Sequence, residues 1–391
     1  MGHIVLYEEA EVRANLLPLS YTRPVAHLRV GITTIAEKWQ DLLPGNYSYD
    51  VAEEYLREKY PLSPEAISHP DTLFVASNVI PDKELVDTIK TLEPGQTLVD
   101  GNGRTVARRS SHAPAVLSMS GKVVAVDHLY DIFTLNHDAV WADFKRLTSG
   151  RKSAPLSTTN TVVGSPDLVF LEDGAQVECA VLNTKNGPVY VGLDAEIMEG
   201  SLLRGPVALC EHAVVNMGSK IYGATTLGPY CKAGGELNNV VMTGYSNKAH
   251  DGFLGNAVIG EWCNLGAGCV ASNLKNNYTL IKLWNYPARR FMPTGLQFCG
   301  LIMGDHSRAG INTMFNTATV IGVGVNIYEA GFPRNFVASF SQGSSSAGFT
   351  DVPLAGFIDA ARRMMARRNI ELTPADERMF EAIKECADNY K

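Results

Sequence analysis

No cysteine precedes Cys179, no two of the seven form a CxxC pair, and the number is odd. Metal-ligand spacing is therefore missing, and the expectation is buried thiols in a reducing compartment. No apolar run approaches the roughly 18 residues of a membrane span. The start, MGHIVLYEEAEV, lacks the charged-then-apolar layout of a signal peptide, so a cytoplasmic protein without a membrane partner is expected. No basic cluster stands out against a formal charge of −7, which argues against a nucleic-acid partner. Between Glu8 and Ser20 there is no glycine, so the backbone there is not built for close approach to a phosphate.

What the chain has instead is a period of six. Apolar residues recur at Val191, Ile197, Leu203, Leu209, Val215, Ile221, Leu227 and Ala233. Two positions before each after the first stands a small or β-branched residue: Ala195, Ser201, Val207, Ala213, Ser219, Thr225 and Cys231. Six fits neither a helix at 3.6 nor a continuous strand at 2, so it marks a unit repeated along the chain. Hexapeptides of this kind build a left-handed parallel β-helix, three to a triangular coil, with the sixth-position side chains stacked inside. The rhythm returns in a shifted register at Phe253, Ile259, Leu265 and Ala271, and again at Met303, Ala309, Phe315, Ile321 and Ile327. The interruptions, 234–252 and 272–301, are expected to leave the prism as loops, where repeat proteins place binding chemistry.

The flanks differ in character. HIVLY, DTLFVAS and GKVVAV read as strands alternating with helices in VGITTIAEKWQDLL and DKELVDTIKTL, which predicts a parallel, Rossmann-like α/β sheet. A helical stretch, HLYDIFTLNHDAVWADFKRLTSG, and the polar GRKSAPLSTTN follow. The expected domains are an α/β domain over 1–155, the β-helix over 156–345 and a helical tail over 346–391. SFSQGSSSAGF reads as a hinge, and the tail as two helices, the second opened by Thr373-Pro374.

The segment from Lys248 through His250-Asp251-Gly252-Phe253-Leu254-Gly255-Asn256-Ala257 to Gly260, followed by Asn264-Leu265-Gly266-Ala267-Gly268 and Ser272-Asn273, carries a resemblance. It resembles the acetyltransferase half of the bifunctional N-acetylglucosamine-1-phosphate uridyltransferase/glucosamine-1-phosphate N-acetyltransferase family. The N-terminal run Asn15-Leu16-Leu17-Pro18-Leu19-Ser20-Tyr21-Thr22-Arg23-Pro24 looks like a divergent, sugar nucleotidyltransferase-like branch of Bacteroidetes-type bacteria. The resemblance implies a nucleotidyltransferase-like domain, a left-handed β-helix, a homotrimer and acetyl-CoA as co-substrate. It makes His250 the general base, with Asn264, Asn273 and Glu236 around it. Imidazole suits the task, because acyl transfer to an amine needs a proton acceptor that titrates near working pH.

The departures bear on the acceptor. Asn238 stands where the family grips phosphate with lysine, Phe253 stands for a tyrosine, and Lys220 replaces an arginine, losing its bidentate fork. Arg204 and Lys248 are further candidates for holding a phosphate, so an amino-sugar phosphate and a nucleotide-linked amino sugar both stay open. In the N-terminal half Arg13, Arg23 and Arg29 are the cations available to a nucleotide in place of a glycine loop. Asn78, with Asp82 further on, stands near the usual place of a metal-binding aspartate. No metal site is assigned, and Mg²⁺ is expected only if that domain is active. The leading expectation is an acyl-CoA-dependent N-acyltransferase of nucleotide-sugar or envelope-precursor synthesis. A sugar-1-phosphate nucleotidyltransferase on a trimerising β-helix, uridylyl or thymidylyl in specificity, is the rival enzyme reading. A scaffold or nucleotide-sugar sensor is the non-enzymatic one.

Overall fold

The sixth-position side chains turn inward. In the computed structural model, which describes residues 2–110 and 112–391, the eight apolar residues from Val191 to Ala233 are at most 2% exposed, and their seven small partners are fully buried. The interior column continues through Leu237, Val240, Met242, Leu254, Ala257, Ile259, Leu265, Ala271, Met303, Phe315, Ile321 and Ile327. Alternation sends the middle residue of each three-residue strand inward on the first face, as at Leu182 and Leu203, and the two flanking residues inward on the second, as at Val207 and Leu209. The result is the left-handed parallel β-helix that the spacing implies.

Its first face contains Thr161–Val163, Val181–Asn183, Leu202–Arg204 and Lys220–Tyr222. The second contains Val169–Leu171, Val189–Val191, Val207–Leu209 and Thr225–Leu227. The third runs from Gln176–Val177 through Lys232–Ala233, Asn247–Lys248, Asn264–Leu265 and Arg308–Ala309 to Ser341–Ser344.

The stretch 234–252 does not leave the prism, contrary to expectation. It remains coil, but a shortened one. Glu236–Gly244 and Phe253–Glu261 are nine-residue strands that pass from the first face to the second and pair with each other, and Glu236–Gly244 pairs on its other side with both Lys220–Tyr222 and Thr225–Leu227. Their corner shrinks to one residue with positive φ, Asn239 (58°) and Asn256 (46°), a conformation asparagine tolerates. Losing those corner residues shifts the register of six. The stretch 272–301 does leave, as an excursion carrying the antiparallel hairpin Lys282–Asn285/Arg290–Pro293. Trp284 of this hairpin stacks on Phe336 at 4.1 Å.

By its contacts the chain divides into Met1–Leu28, Thr33–His128 and Thr373–Ala382 as one unit, and Arg29–Ile32, Leu129–Leu372 and Ile383–Lys391 as another. In the first, β1 (His3–Tyr7), β2 (Asn46–Asp50), β3 (Leu73–Ala76), β4 (Gln96–Val99), β5 (Thr105–Arg109) and β6 (Ala115–Ser118) form a sheet in the order β2-β1-β3-β5-β4-β6. The sheet is mixed, not wholly parallel: β5 runs antiparallel to both β3 and β4. GKVVAV forms no strand. Val124 is exposed and only Ala125 makes a bridge, to Val79. The helices are α1 (Ala10–Asn15), α2 (Ile35–Leu42), α3 (Pro64–Ser68) and α4 (Lys83–Lys90). A capping box of Thr34 and Glu37 starts α2, and Asp82 caps α4 by accepting from Leu85 N at 2.8 Å.

In the second unit the helical stretch after residue 128 breaks at Leu135 into α5 (Asp131–Thr134) and α6 (Asn136–Thr148). Val140 and Phe144 of α6 pack on Phe170, Tyr190 and Ala208, which point outward from the second face. The expected hinge at 339–349 is instead the last coil: Phe340 is fully buried against Phe357, and Ser341–Ser344 pairs back with Gly348–Asp351. The tail forms α7 (Leu354–Ala366), in this unit, and α8 (Pro374–Ala387), most of which, up to Ala382, belongs to the first. Thr373 and Asp376 close a capping box at the start of α8.

Candidate active site

Strand register gathers most of the candidates into one row. On the first face Val181, Leu202, Lys220, Glu236 and Phe253 are successive cross-strand neighbours, and all lie outside the prism. Beside them run Asn183 with Arg204, and Tyr222 with Asn238 and Gly255. Tyr222, which the sequence reading passed over, donates from its hydroxyl to Glu236 Oε1 at 2.6 Å. That bond to a carboxylate, and then burial, push the phenol up to about 12. Glu236 is thus fixed beside Lys220 without forming an ion pair with it. The groove formed by Val181, Asn183, Leu202, Arg204, Lys220 and Tyr222 measures about 440 Å³.

His250 lies on the corner leading into Phe253, exposed to solvent. The corner is pinned from the coils on both sides. Asn216 Nδ2 donates to Ala249 O at 2.8 Å, Gly234 N donates to Lys248 O at 2.7 Å, and Gly268 N donates to Asp251 O at 3.1 Å. Gly234 and Gly235 pass directly beneath it. A Cβ on Gly235, whose φ is +76°, would stand 2.8 Å from Asp251 Cα and from Gly252 N. Gly235→Val is therefore expected to lower stability by about 2–4 kcal/mol, the scale of backbone strain added to backbone overlap. Urea unfolding midpoints measure this, and an unchanged midpoint would mean that the corner is not packed as described.

Lys248 is not placed to grip a substrate. It takes an inward position of the third face and is 1% exposed. Its ammonium donates to the carbonyls of Gly234 (3.1 Å) and His250 (2.6 Å). Burial lowers its pKa to about 8. Asn264 is also apart from the row: it points outward on the third face, between Asn247 and Arg308. Asn273 does reach the first face. Its Nδ2 lies 2.6 Å from where a Cβ on Gly255 would be, and donates to Asn256 Oδ1 at 2.8 Å. With the Asn239 amide oriented to satisfy its neighbours, Asn239, Asn256 and Asn273 form a hydrogen-bonded ladder up that corner. Next to the 272–301 excursion, Ser272, Lys275, Asn276, Asn316, Thr317 and Asn335 line a second groove, of about 420 Å³.

The N-terminal candidates are tied into the fold. Arg13 is buried, paired at 3.2 Å with both oxygens of Glu8, and donates to the carbonyls of Ser20 and Arg23. Glu8 also accepts from Val25 N (2.6 Å) and Ala52 N (3.0 Å), so a buried ion pair fills the space just after β1. Arg23 is buried and donates to Thr22 Oγ1. Arg29 belongs to the β-helix unit, bonded to Thr243 O at 3.2 Å and to Ile32 O. Asn78 is buried and donates to Asp127 Oδ1 at 2.9 Å; Asp127 in turn takes a bidentate contact from Arg104. Among the described residues no group of three His, Cys, Asp or Glu side chains converges as a metal cage. With Glu8 and Asp127 committed to arginines and Asp82 to a helix cap, these carboxylates do not fit a magnesium ion.

Residues 4–152 match the sugar nucleotidyl transferase family. Over 172 residues the chain is 29% identical to the bifunctional sugar-1-phosphate nucleotidylyltransferase/acetyltransferase of Sulfurisphaera tokodaii, covering 43% of this chain and 40% of that protein. It is 23% identical over 216 residues to the bifunctional protein GlmU of Bartonella quintana, covering 52% and 40%. The chain thus matches well under half the length of these curated relatives. Among solved structures it is similar to AntD, an N-acyltransferase from Bacillus cereus in complex with dTDP and 3-hydroxybutyryl-CoA, at 10% identity and a TM-score of 0.22, over 54% of this chain and 91% of that one. It is also similar to the UDP-N-acetylglucosamine acyltransferase of Arabidopsis, at 14% identity and a TM-score of 0.22, over 59% and 90%. Among the described residues no helix is long and apolar enough to cross a membrane.

Proposed function

We propose that this chain is an acyl-CoA-dependent N-acyltransferase acting on an amino-sugar phosphate or a nucleotide-linked amino sugar, with acetyl-CoA as the donor. The observation that carries the reading is the row on the first face. An exposed imidazole stands at its end, then an aromatic ring, a carboxylate and two cations, on a corner whose backbone is fixed. His250 takes the proton from the acceptor nitrogen as that nitrogen attacks the thioester carbonyl. The tetrahedral intermediate then expels the coenzyme A thiolate, which the imidazolium protonates. Glu236, held by Tyr222, accepts from a sugar hydroxyl, and Phe253 stacks on the ring. Lys220 and Arg204 meet phosphate oxygens, and Asn238, one coil beyond Tyr222, offers its amide. Asn273 offers its amide at the rim of the site. The acyl-CoA lies in the polar groove beside the 272–301 excursion. A homotrimer covers one flat prism face per copy and brings a third-face residue such as Asn264 toward a neighbour's first face.

The match over residues 4–152 favours a second reading, sugar-1-phosphate nucleotidyl transfer by the first unit. Against it, the Glu8–Arg13 pair and its bonds occupy the place where a phosphate cradle would form. One assay separates the two. Thiol release from acetyl-CoA, followed with a panel of amino-sugar 1-phosphates and UDP- and dTDP-amino sugars, is expected to show turnover. Pyrophosphate release from NTP plus sugar 1-phosphate with Mg²⁺, and no thiol release from any acceptor, would transfer the activity to the first unit.

A further inference from the structure

The row does not end at its cations. Beyond Lys220 come Leu202, half exposed at 50%, and Val181, both facing outward on the same line of neighbours. Successive strands lie about 4.8 Å apart, so Lys220 stands roughly 10 Å, Leu202 roughly 14 Å and Val181 roughly 19 Å from Phe253 at the catalytic end. An amino-sugar 1-phosphate reaches the cations and stops. It has no use for an aliphatic floor beyond them.

The cations are themselves uncommitted. Glu236 is Lys220's register neighbour, yet its carboxylate is engaged by Tyr222, and neither Lys220 nor Arg204 has an ion-pair or hydrogen-bond partner among the described residues. In a chain of net charge −7, two unpaired cations on successive coils of a groove of about 440 Å³ favour a group with more than one negative charge. The order along the groove is imidazole and ring, carboxylate, Lys220, then Arg204 and Leu202 on one coil, then Val181. In an acceptor that order corresponds to amino sugar, diphosphate and nucleoside.

From this, and resting on the acyltransferase reading above, we propose that the acceptor is a nucleoside-diphosphate-linked amino sugar, its diphosphate on Lys220 and Arg204 and its nucleoside laid over Leu202 and Val181. The amide of Asn183, beside Arg204, is within the same groove and serves the polar edge of the base or ribose. The wild-type full-length chain is expected to transfer acetyl at least tenfold faster, in kcat/KM, to UDP- or dTDP-amino sugars than to the matching amino-sugar 1-phosphates.

Three proteins test this: wild type, Leu202→Glu and the double variant Arg204→Ala/Lys220→Ala. Binding of UDP and dTDP is measured by calorimetry, with kcat/KM for both acceptor types. Leu202 is on the surface, so its charged variant should fold, and thermal unfolding checks this. The expected result is that Leu202→Glu weakens nucleotide binding at least tenfold and lowers kcat/KM for the nucleotide-linked acceptors by a larger factor than for the 1-phosphates, so that the preference between them falls. UDP binding equal in all three proteins would place the nucleotide elsewhere in the chain and overturn the proposal. Equal kcat/KM for both acceptor types in the wild type would overturn it too, while leaving the acyltransferase intact. Thiol release from no acceptor would sink the acyltransferase reading, and the acceptor assignment with it.

Discussion

His250→Ala is expected to lower kcat for acyl transfer by about 10²–10⁴, the range a positioned general base supplies. The apparent KM for acetyl-CoA and the unfolding temperature should stay where they are. Both parts follow from the corner. The imidazole is exposed and has no hydrogen-bond partner among the described residues, so its loss removes no packing and orphans no buried group. What holds the corner is backbone: the bonds from Asn216, Gly234 and Gly268, and the Lys248 ammonium on the carbonyl of His250 itself. The variant should therefore be a folded protein with a site lacking only its base. Partial rescue by added imidazole would support a proton-transfer role over a steric one. A variant with wild-type kcat would end the assignment of His250 and shift attention to the carboxylate of Glu236.

The fold was more legible than the site, for a physical reason. A β-helix repeats one local rule, an inward residue every sixth position, so each coil restates the same evidence, and the shifted registers at Ile259 and Met303 follow it, although Phe253, expected inward, lies outside the prism and Leu254 takes the inward place. The error came at 234–252, where the rhythm was lost without the structure being lost: Asn239 and Asn256 each replace a whole corner, and a period-six search cannot see a coil that is shorter by a few residues. Site residues obey no such repetition. Glu236, Lys220 and Phe253 were found separately, and only register shows that they are neighbours along one line. Tyr222 carried no signal, because its role depends on meeting Glu236 across a strand. Lys248 misled for the opposite reason. A lysine in sequence suggests a surface cation, whereas its position two residues before His250 puts it on the inward side of the third face. Arg13 is a similar case: the missing glycines suggest an opening for side-chain cations, but the same space is closed by its pairing with Glu8.

Lys248 supplies the last expectation, on stability and pH. Its amine normally titrates near 10.5, and burial inside the prism lowers that to about 8, with Cys269 and Asp251 opposing the change only in part. In the interval between these two values the unfolded chain holds a proton that the folded chain has released. Stability contributed by this residue must then rise with pH from about 8 to about 10.5, because the state that binds more protons is the unfolded one. Below pH 8 both states are protonated, and the folded protein carries the full cost of a buried ammonium, offset by its bonds to Gly234 and His250. Lys248→Met keeps the stem in the column of apolar side chains and removes the charge. Relative to wild type, the variant should be most favoured at pH 7, and that advantage should shrink by about 3 kcal/mol by pH 10.5, since each pH step of one between the two titration points is worth about 1.4 kcal/mol. Other titrating groups occur in both proteins and cancel in the comparison. Urea unfolding at half-unit steps from pH 7 to 10.5 measures the difference directly. Parallel curves for the two proteins would show that the ammonium reaches water and that the corner beneath His250 is wet.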